Sequence, residues 1–196
     1  MIAFKYTKTN GAEYLSHLDL LRHIERTLRR AQIPVNFSQG FNKHPRIFMN
    51  NPLGTGIKSV AEYCTVDTPF CGDFTTAFNQ NSPKGVKCVE HYIVSENPNF
   101  AYTIEKCLYR VKGISTFNPQ EILQKESIVL TDSRGREVDI RPRIYTLEVK
   151  EDGVYFWAGC NEKSLRPELL GEYLCAIYGG AVGEIIKLDA SGNFKL

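Results

Sequence analysis

The sequence lacks the cysteine spacings that hold zinc ions or iron–sulfur clusters. No two of its cysteines lie within four residues of each other, so CxxC and zinc-knuckle motifs are absent. The six cysteines are Cys64, Cys71, Cys88, Cys107, Cys160 and Cys175. We expect them to be reduced thiols that mostly fill the core, and we expect no bound metal and no cofactor.

Long apolar runs and the common phosphate-binding motifs are missing as well. No stretch approaches the ~20 apolar residues of a membrane span. Lys5 and Lys8 interrupt the short apolar pattern at the start of the chain, so we expect no signal peptide, no membrane partner and a cytoplasmic location. There is no Walker-type lysine loop and no nucleophile elbow, and the corresponding classes of hydrolase are therefore excluded.

The positive charge is concentrated at one end of the chain. The 196 residues carry a formal net charge of +2, but the first fifty hold eight Lys or Arg against three acidic residues. A local basic region favours a polyanionic partner. Ion pairs on a helix surface, between Asp19 and Arg22 or between Glu25 and Arg29, would explain the same residues without a partner.

An amphipathic helix is predicted over residues 17–31. Ser16 is suited to the N-cap, Asp19 favours the positive end of the helix, and Pro34 would stop it. The residues that recur at helical spacing and should form the buried stripe are Leu21, Ile24, Leu28 and Ala31. The arginines expected on or beside the opposite face are Arg22, Arg26, Arg29 and Arg30.

The loop after this helix carries more functional chemistry than a connection needs. Residues 38–46 read Ser-Gln-Gly-Phe-Asn-Lys-His-Pro-Arg, and loops on rigid scaffolds often carry function. The predicted RNA contacts are Arg22, Arg26, Arg29, Arg30, Phe41, Asn42, Lys43 and Arg46, with Ser38, Gln39 and Gly40 as further candidates. His44 is the candidate acid or base, and an exposed turn residue would explain it equally well. His17 is the alternative, although a core or capping histidine explains it better than a site role does.

The segment from residue 14 to residue 67 resembles the N-terminal signature of the bacterial radical SAM-linked domain of unknown function. The resemblance rests on SHLDLLRHIERTLRRAQIPVNFSQGFNKHPRI and PLGTGIKSVAEY, and more weakly on REVDIRPRIYTLEV and SLRPELL. That family is fused to a radical SAM protein or encoded near one, which implies such a partner but no established reaction. The Asp-Ile-Arg-Pro motif makes Asp139 and Arg141 candidates, although a structural Asp–Arg pair fits them too. The three-cysteine cluster motif is absent, so this chain is not the radical enzyme itself.

The order of predicted elements indicates an α+β fold with two ferredoxin-like units in tandem. Residues 1–96 read β-α-β-β-α-β, beginning with a half-buried strand, and Asn97-Pro98-Asn99 marks the boundary. The second unit, residues 97–196, has an inserted hairpin whose turn is predicted at residues 133–136. Paired units of this kind also occur in CRISPR-associated RNA-processing proteins, which is a likeness of fold only.

Three functions remain open from the sequence. The first is a non-catalytic RNA-binding accessory domain that presents or docks on tRNA or ribosomal RNA beside a radical SAM enzyme. The second is a metal-independent endoribonuclease, with His44 as acid or base and Lys43 or Arg46 stabilising the phosphate. The third is a protein-docking module for the radical SAM enzyme, with no role in nucleic-acid binding.

Overall fold

The chain forms two compact units in the computed structural model, which describes residues 1–132 and 135–196. The first unit comprises residues 1–104 and 193–196, and the second comprises residues 105–192. The division predicted between residues 96 and 97 lies slightly earlier. Residues 97–104 stay with the first unit because the Phe100 ring packs against Tyr63 and against Phe194, at centroid distances of 5.0 and 5.3 Å.

Strands and helices alternate in the first unit in the predicted order. Its elements are β1 (Ile2–Lys8), α1 (His17–Arg30), β2 (Ile47–Met49), β3 (Lys58–Val66), α2 (Phe74–Asn81), β4 (Cys88–Ile93) and α3 (Phe100–Thr103), with a short 3-10 helix at Ala12–Tyr14. The strands lie in the order β4-β1-β3-β2, and each neighbouring pair is antiparallel. The helix α3 was not predicted from the sequence.

The core of the first unit lies between these strands and the helices α1 and α2. Phe4 of β1 contacts Phe74 and Phe78 of α2 at ring-centroid distances of 5.0 and 5.3 Å. The buried stripe of α1 consists of Leu20, Ile24, Thr27 and Leu28, whereas Leu21 and Ala31 are only half-buried. The predicted stripe was therefore wrong at its first position, because Leu20 shares the i, i+4, i+8 row of Ile24 and Leu28.

The strand β1 occupies a central position, with β4 on one side and β3 on the other. Ile2, Ala3 and Phe4 are all buried, so its first half is covered on both faces. The prediction of a half-buried strand therefore holds for Lys5 and Thr7, which are only partly buried, but was wrong for Ala3. Ala3 lies on the face that the alternation of residue types predicted to be open, yet it is fully buried.

The second unit repeats the strand order of the first. Its elements are β5 (Ile104–Val111), α4 (Gln120–Leu123), β6 (Val129–Thr131), β7 (Glu137–Asp139), β8 (Ile144–Lys150), β9 (Gly153–Gly159), α5 (Pro167–Tyr178) and β10 (Ile185–Gly192). The main strands lie in the order β10-β5-β9-β8, and β6 and β7 form a separate antiparallel hairpin. Ser133 and Arg134, predicted in the turn of this hairpin, lie outside the described residues.

The elements together make this an α+β protein. In both units, the fourth main strand lies beside the first, and the third lies between the first and the second. Of the helices in the described part of the chain, none is long and apolar enough to cross a membrane.

Candidate nucleic-acid interface

The helix α1 is fixed at both ends by local hydrogen bonds. Ser16 caps its start: the Ser16 hydroxyl oxygen accepts a hydrogen bond from the Asp19 backbone N–H at 3.1 Å. The Ser16 hydroxyl also donates to the Asp19 carboxylate at 2.7 Å, which is the main reason why the pKa of Asp19 is lowered. At the other end, Gln32 adopts a φ of 56° and the Ile33 N–H bonds to the Leu28 carbonyl at 3.0 Å. This is a Schellman motif, so α1 already ends before Pro34.

Two of the four arginines on α1 form ion pairs within the helix. Arg22 contacts Asp19 and Arg29 contacts Glu25, each at 3.1 Å. The side chains of Arg22 and Arg29 remain 62% and 78% exposed. Exposed pairs of this kind contribute only about 0–1 kcal/mol, so a phosphate group can compete for either arginine.

The other two arginines have different environments. Arg30 donates to the Asn81 carbonyl from Nε at 3.1 Å and from Nη2 at 2.8 Å, and to the Thr27 hydroxyl at 3.1 Å. It therefore links the C-terminal ends of α1 and α2 and has a structural role. Arg26 is exposed, and within the described residues its side chain has no hydrogen bond or ion pair. Arg26 is the arginine of this helix that is available to a ligand without competition.

The two ends of the loop of residues 38–46 are held together by a hydrogen-bonded stem, which consists of residues 36–38 and 44–46. The Ser38 N–H donates to the His44 carbonyl at 2.8 Å, and the His44 N–H donates to the Ser38 hydroxyl at 3.0 Å. The Phe37 and Pro45 backbones form an isolated bridge below this pair. Pro45 has no N–H to donate, so the regular strand after the loop is confined to β2.

Asp67, which follows β3, holds the base of the stem. Its carboxylate accepts from Arg46 Nε at 2.8 Å and from Asn36 Nδ2 at 2.9 Å. The backbones of the same three residues are joined by further bonds of 2.8 to 3.0 Å. The guanidinium of Arg46 also lies 5.9 Å from the Phe48 ring centroid. Both sides of the stem are therefore fixed to the end of β3.

The tip of the loop presents an aromatic ring to solvent. Phe41 is 103% exposed relative to a reference residue, and Phe37 on the stem is 54% exposed. Both rings therefore lie outside the core. Gly40 has a φ of 123°, a conformation that side-chain-bearing residues rarely adopt, and its neighbourhood is open. The glycine therefore directs the chain so that Phe41 points outward.

A polar cavity of about 440 Å³ opens beside the loop. Its polar lining comes from Asn36, Ser38, Gln39, Lys43, Arg46 and Asp67, and Phe37 is its apolar member. A smaller cavity of about 150 Å³ is lined by Glu25 and Arg29 of α1 and by Phe37 and Pro45 of the stem. The arginine face of α1 and the loop are thus neighbours.

The two candidate histidines are far apart. His17 lies in the first turn of α1, and the loop is next to its last turns, a separation of about 20 Å along the helix. Burial lowers the pKa of His17, with Lys8 acting in the same direction and Glu62 opposing them. His44 is exposed, and within the described residues its imidazole has no hydrogen-bond partner to orient it. The described residues also contain no group of three or more His, Cys, Asp or Glu placed to hold a metal ion.

Asp139 and Arg141 support the second unit rather than a site. The Asp139 carboxylate accepts from the Ile128 N–H at 2.9 Å and from the Arg141 N–H at 3.0 Å, and these bonds, the first above all, lower its pKa. The Arg141 guanidinium donates to the carbonyls of Leu123 and Ile144. These contacts join the hairpin to α4 and to the start of β8. Within the described residues, the two side chains do not form the Asp–Arg pair that was the structural alternative, because each bonds to backbone groups instead.

Sequence reasoning missed two polar residues of this site. Asn36 and Asp67 were not singled out, although both line the larger cavity and hold Arg46. Their separation of 31 positions hides the contact from any local pattern. The available signal was an acidic residue at the end of a strand, directly before the chain turns away from it.

The strand order and the helices define an α+β protein with a loop-based polar site. The chain belongs to the family described as "Uncharacterized protein conserved in bacteria (DUF2344)", which matches residues 2–167. Among solved structures, it is similar to a chain in the "Crystal Structure of a Cbf5-Nop10-Gar1 Complex", with a TM-score of 0.51 and 12% identity. The match covers 96% of this chain and 48% of that one, so this chain spans about half its length. At this identity the likeness concerns the fold alone. Comparison with curated proteins finds no match.

Proposed function

We propose that this protein is a non-catalytic RNA-binding accessory domain that acts in the cytoplasm beside a radical SAM enzyme. The observation that carries the proposal is the loop of residues 38–46, where a fully exposed Phe41 stands two positions from an exposed Lys43. An aromatic ring next to cations is the combination with which proteins stack RNA bases and neutralise phosphates. The polar cavity beside the loop adds further hydrogen-bond donors.

The cations around the loop contribute unequally to this function. Arg26 and Lys43 are exposed and form no ion pair with another described residue, so they meet phosphate without first losing a partner. Arg22 and Arg29 must exchange a weak surface pair for the phosphate. Arg30 is already bound to the end of α2, so its contribution to RNA affinity is small.

A ferredoxin-like architecture for both units is part of the proposal. Its support is that each unit places its main strands in the order fourth, first, third and second, with a helix after the first strand and another after the third. The hairpin β6–β7 is then an insertion in the second unit. Sheets of this type commonly present a nucleic-acid face.

A binding role fits the loop better than RNA cleavage does. General acid–base catalysis needs a histidine held in position, and the His44 imidazole has no such support from the described residues. Incubation of total RNA with the protein in EDTA should leave the RNA intact. Discrete fragments that disappear in a His44→Ala variant would establish the endoribonuclease instead.

The radical SAM partner is proposed from the resemblance of residues 14–67. Co-expression with a radical SAM protein of the same cells, followed by affinity purification, should recover both proteins. Recovery that survives nuclease treatment indicates direct contact, and recovery that needs RNA indicates that RNA bridges the two. If the two proteins never co-purify, this part of the proposal is wrong.

Salt titration of RNA binding tests the RNA-binding proposal directly. We expect the double variant Arg26→Ala/Lys43→Ala to bind RNA more weakly, and its log Kd to depend less steeply on log salt by about 1.4, or ~0.7 for each lost phosphate contact to single-stranded RNA. The matched control is Lys84→Ala/Lys163→Ala, which removes two exposed lysines that do not line the cavity beside the loop. Equal slopes for the two variants, with equal melting temperatures, would contradict the proposed site.

A further inference from the structure

The loop tip is built to hold its aromatic ring outside the protein. Two hydrogen bonds between Ser38 and His44, of 2.8 and 3.0 Å, close the stem of the loop. Beyond the stem, Gly40 has a φ of 123°, and the next residue, Phe41, is not shielded from solvent by the rest of the chain. An apolar ring left in water loses the free energy that burial would give it, so a partner that covers Phe41 is favoured.

The surroundings of Phe41 define the chemistry of that partner. Lys43 lies two positions away, at most about 7 Å along the chain. The adjoining cavity adds the Arg46 guanidinium, the Ser38 hydroxyl and the Gln39 amide. Apart from Phe37, its lining is polar, whereas the centre of a protein–protein interface is depleted of charged residues. The combination fits a ligand that carries a flat ring and an anionic group a few ångströms apart, which describes a nucleotide.

The position of the Phe41 ring at the loop tip also determines whether it can stack on bases of double-stranded or of unpaired RNA. In an A-form duplex the base faces are stacked on each other, and the major groove is too deep and narrow for side chains to read the bases. A ring at a loop tip can stack only on a base that has left the helix or was never paired.

We infer that this site binds an unpaired nucleotide of single-stranded RNA, with the base stacked on Phe41 and the adjacent phosphate against Lys43 and Arg46. The inference rests on the proposed RNA-binding function and specifies the RNA. Duplex RNA meets only the cations of α1 and the loop. Phe41 therefore contributes to the affinity for single strands and not to the affinity for duplexes.

Fluorescence anisotropy with two probes tests this inference on the full chain. The probes are an oligouridine of about 12 nucleotides, which matches the site sizes of single-strand binders, and a duplex of the same length. The variant Phe41→Leu keeps an apolar side chain but removes the flat ring. The matched control is Tyr14→Leu, an exposed aromatic residue of the same unit that lies near the start of α1.

We expect Phe41→Leu to bind the single strand about fivefold to a hundredfold more weakly, and to bind the duplex within about twofold of the wild type. Tyr14→Leu should match the wild type on both probes. Thermal melts check folding, and an exposed Phe41 predicts an unchanged melting temperature for its variant.

Four results would overturn the inference, and they are distinguishable. If wild type and Phe41→Leu bind the single strand equally well, Phe41 does not stack on a base. If the wild type binds the duplex more tightly than the single strand, the site does not prefer unpaired RNA. In both cases the proposed RNA-binding function stands. No binding of either probe by the wild type overturns the proposed function as well. If Phe41→Leu loses the radical SAM protein but keeps oligouridine, Phe41 belongs to a protein contact.

Discussion

Replacing Asp67 by asparagine removes one negative charge from the base of the loop stem and nearly keeps the side-chain shape. The carboxylate accepts two hydrogen bonds, from Arg46 at 2.8 Å and from Asn36 at 2.9 Å. A hydrogen bond to a charged group contributes about 1.5–3 kcal/mol, but the Arg46 side chain is 46% exposed, which brings the pair closer to the range of surface ion pairs. We therefore expect a loss of about 1–2 kcal/mol in the free energy of unfolding, or about 2–8 °C in Tm.

The RNA affinity of Asp67→Asn distinguishes the effect of the lost negative charge from the effect of the lost positioning of Arg46 and Asn36. If only charge mattered, the loss of an anion from the site would strengthen RNA binding. We expect the opposite, because Arg46 and Asn36 lose the group that positions them, and a loss of about 1 kcal/mol in binding corresponds to about fivefold weaker affinity for oligouridine. Anisotropy at one fixed salt concentration measures this, with Glu96→Gln as the control, since it removes an exposed carboxylate that does not line the cavity beside the loop. Tighter binding by Asp67→Asn than by Glu96→Gln would refute the reasoning.

Further predictions concern the first helix, the pH dependence and the thiols. Arg30→Ala removes the link between two helix ends and should lower the Tm by a few degrees, whereas Arg26→Ala should change the free energy of unfolding by less than about 0.5 kcal/mol; thermal melts of both variants check this. Burial lowers the pKa of His17, so the unfolded chain binds that proton more tightly. Stability should therefore fall as the pH drops through about 6.5, and His17→Gln should weaken this trend in melts from about pH 5.5 to 7.5. The sulfur atoms of Cys107 and Cys160 lie 3.3 Å apart, so thiol–disulfide exchange with oxidised glutathione, which is reduced as the two thiols lose their hydrogens, should link this pair. Mass spectrometry of an unreduced digest identifies the link, and a link between other cysteines would contradict the placement.

Local signals predicted the elements of this fold well. The Ser16 cap and the helical spacing of Ile24 and Leu28 each depend on residues close together in the sequence, and the structure has a helix at that place. Local sequence signals do not predict structural features that depend on residues distant in the sequence. The burial of Ala3 depends on what covers β1, and no alternation pattern contains that information.

The candidate site was only partly predictable for the same reason. The loop residues were recognised by type, because Phe, Lys and Arg around a glycine are unusual in a plain connection. The sequence could not show which arginines have hydrogen-bond partners within the protein. Arg30 donates to a carbonyl 51 positions away, whereas Arg26 forms no hydrogen bond or ion pair with the described residues. Asp67 escaped notice because its partners come from a distant part of the chain.

The shared strand order has a consequence for how this protein can change. In the first unit the long connection between the first helix and the second strand spans residues 31–46, and in the second unit the corresponding connection spans residues 124–143 and carries the hairpin β6–β7. Each unit thus has the same strand order and an extended connection at the same position, between its first helix and its second main strand. Additional residues in that connection add surface without interrupting the hydrogen bonds of the main strands, and lengthening a loop costs little closure entropy. New binding properties can therefore arise when one of these connections is exchanged, while both hydrophobic cores remain unchanged.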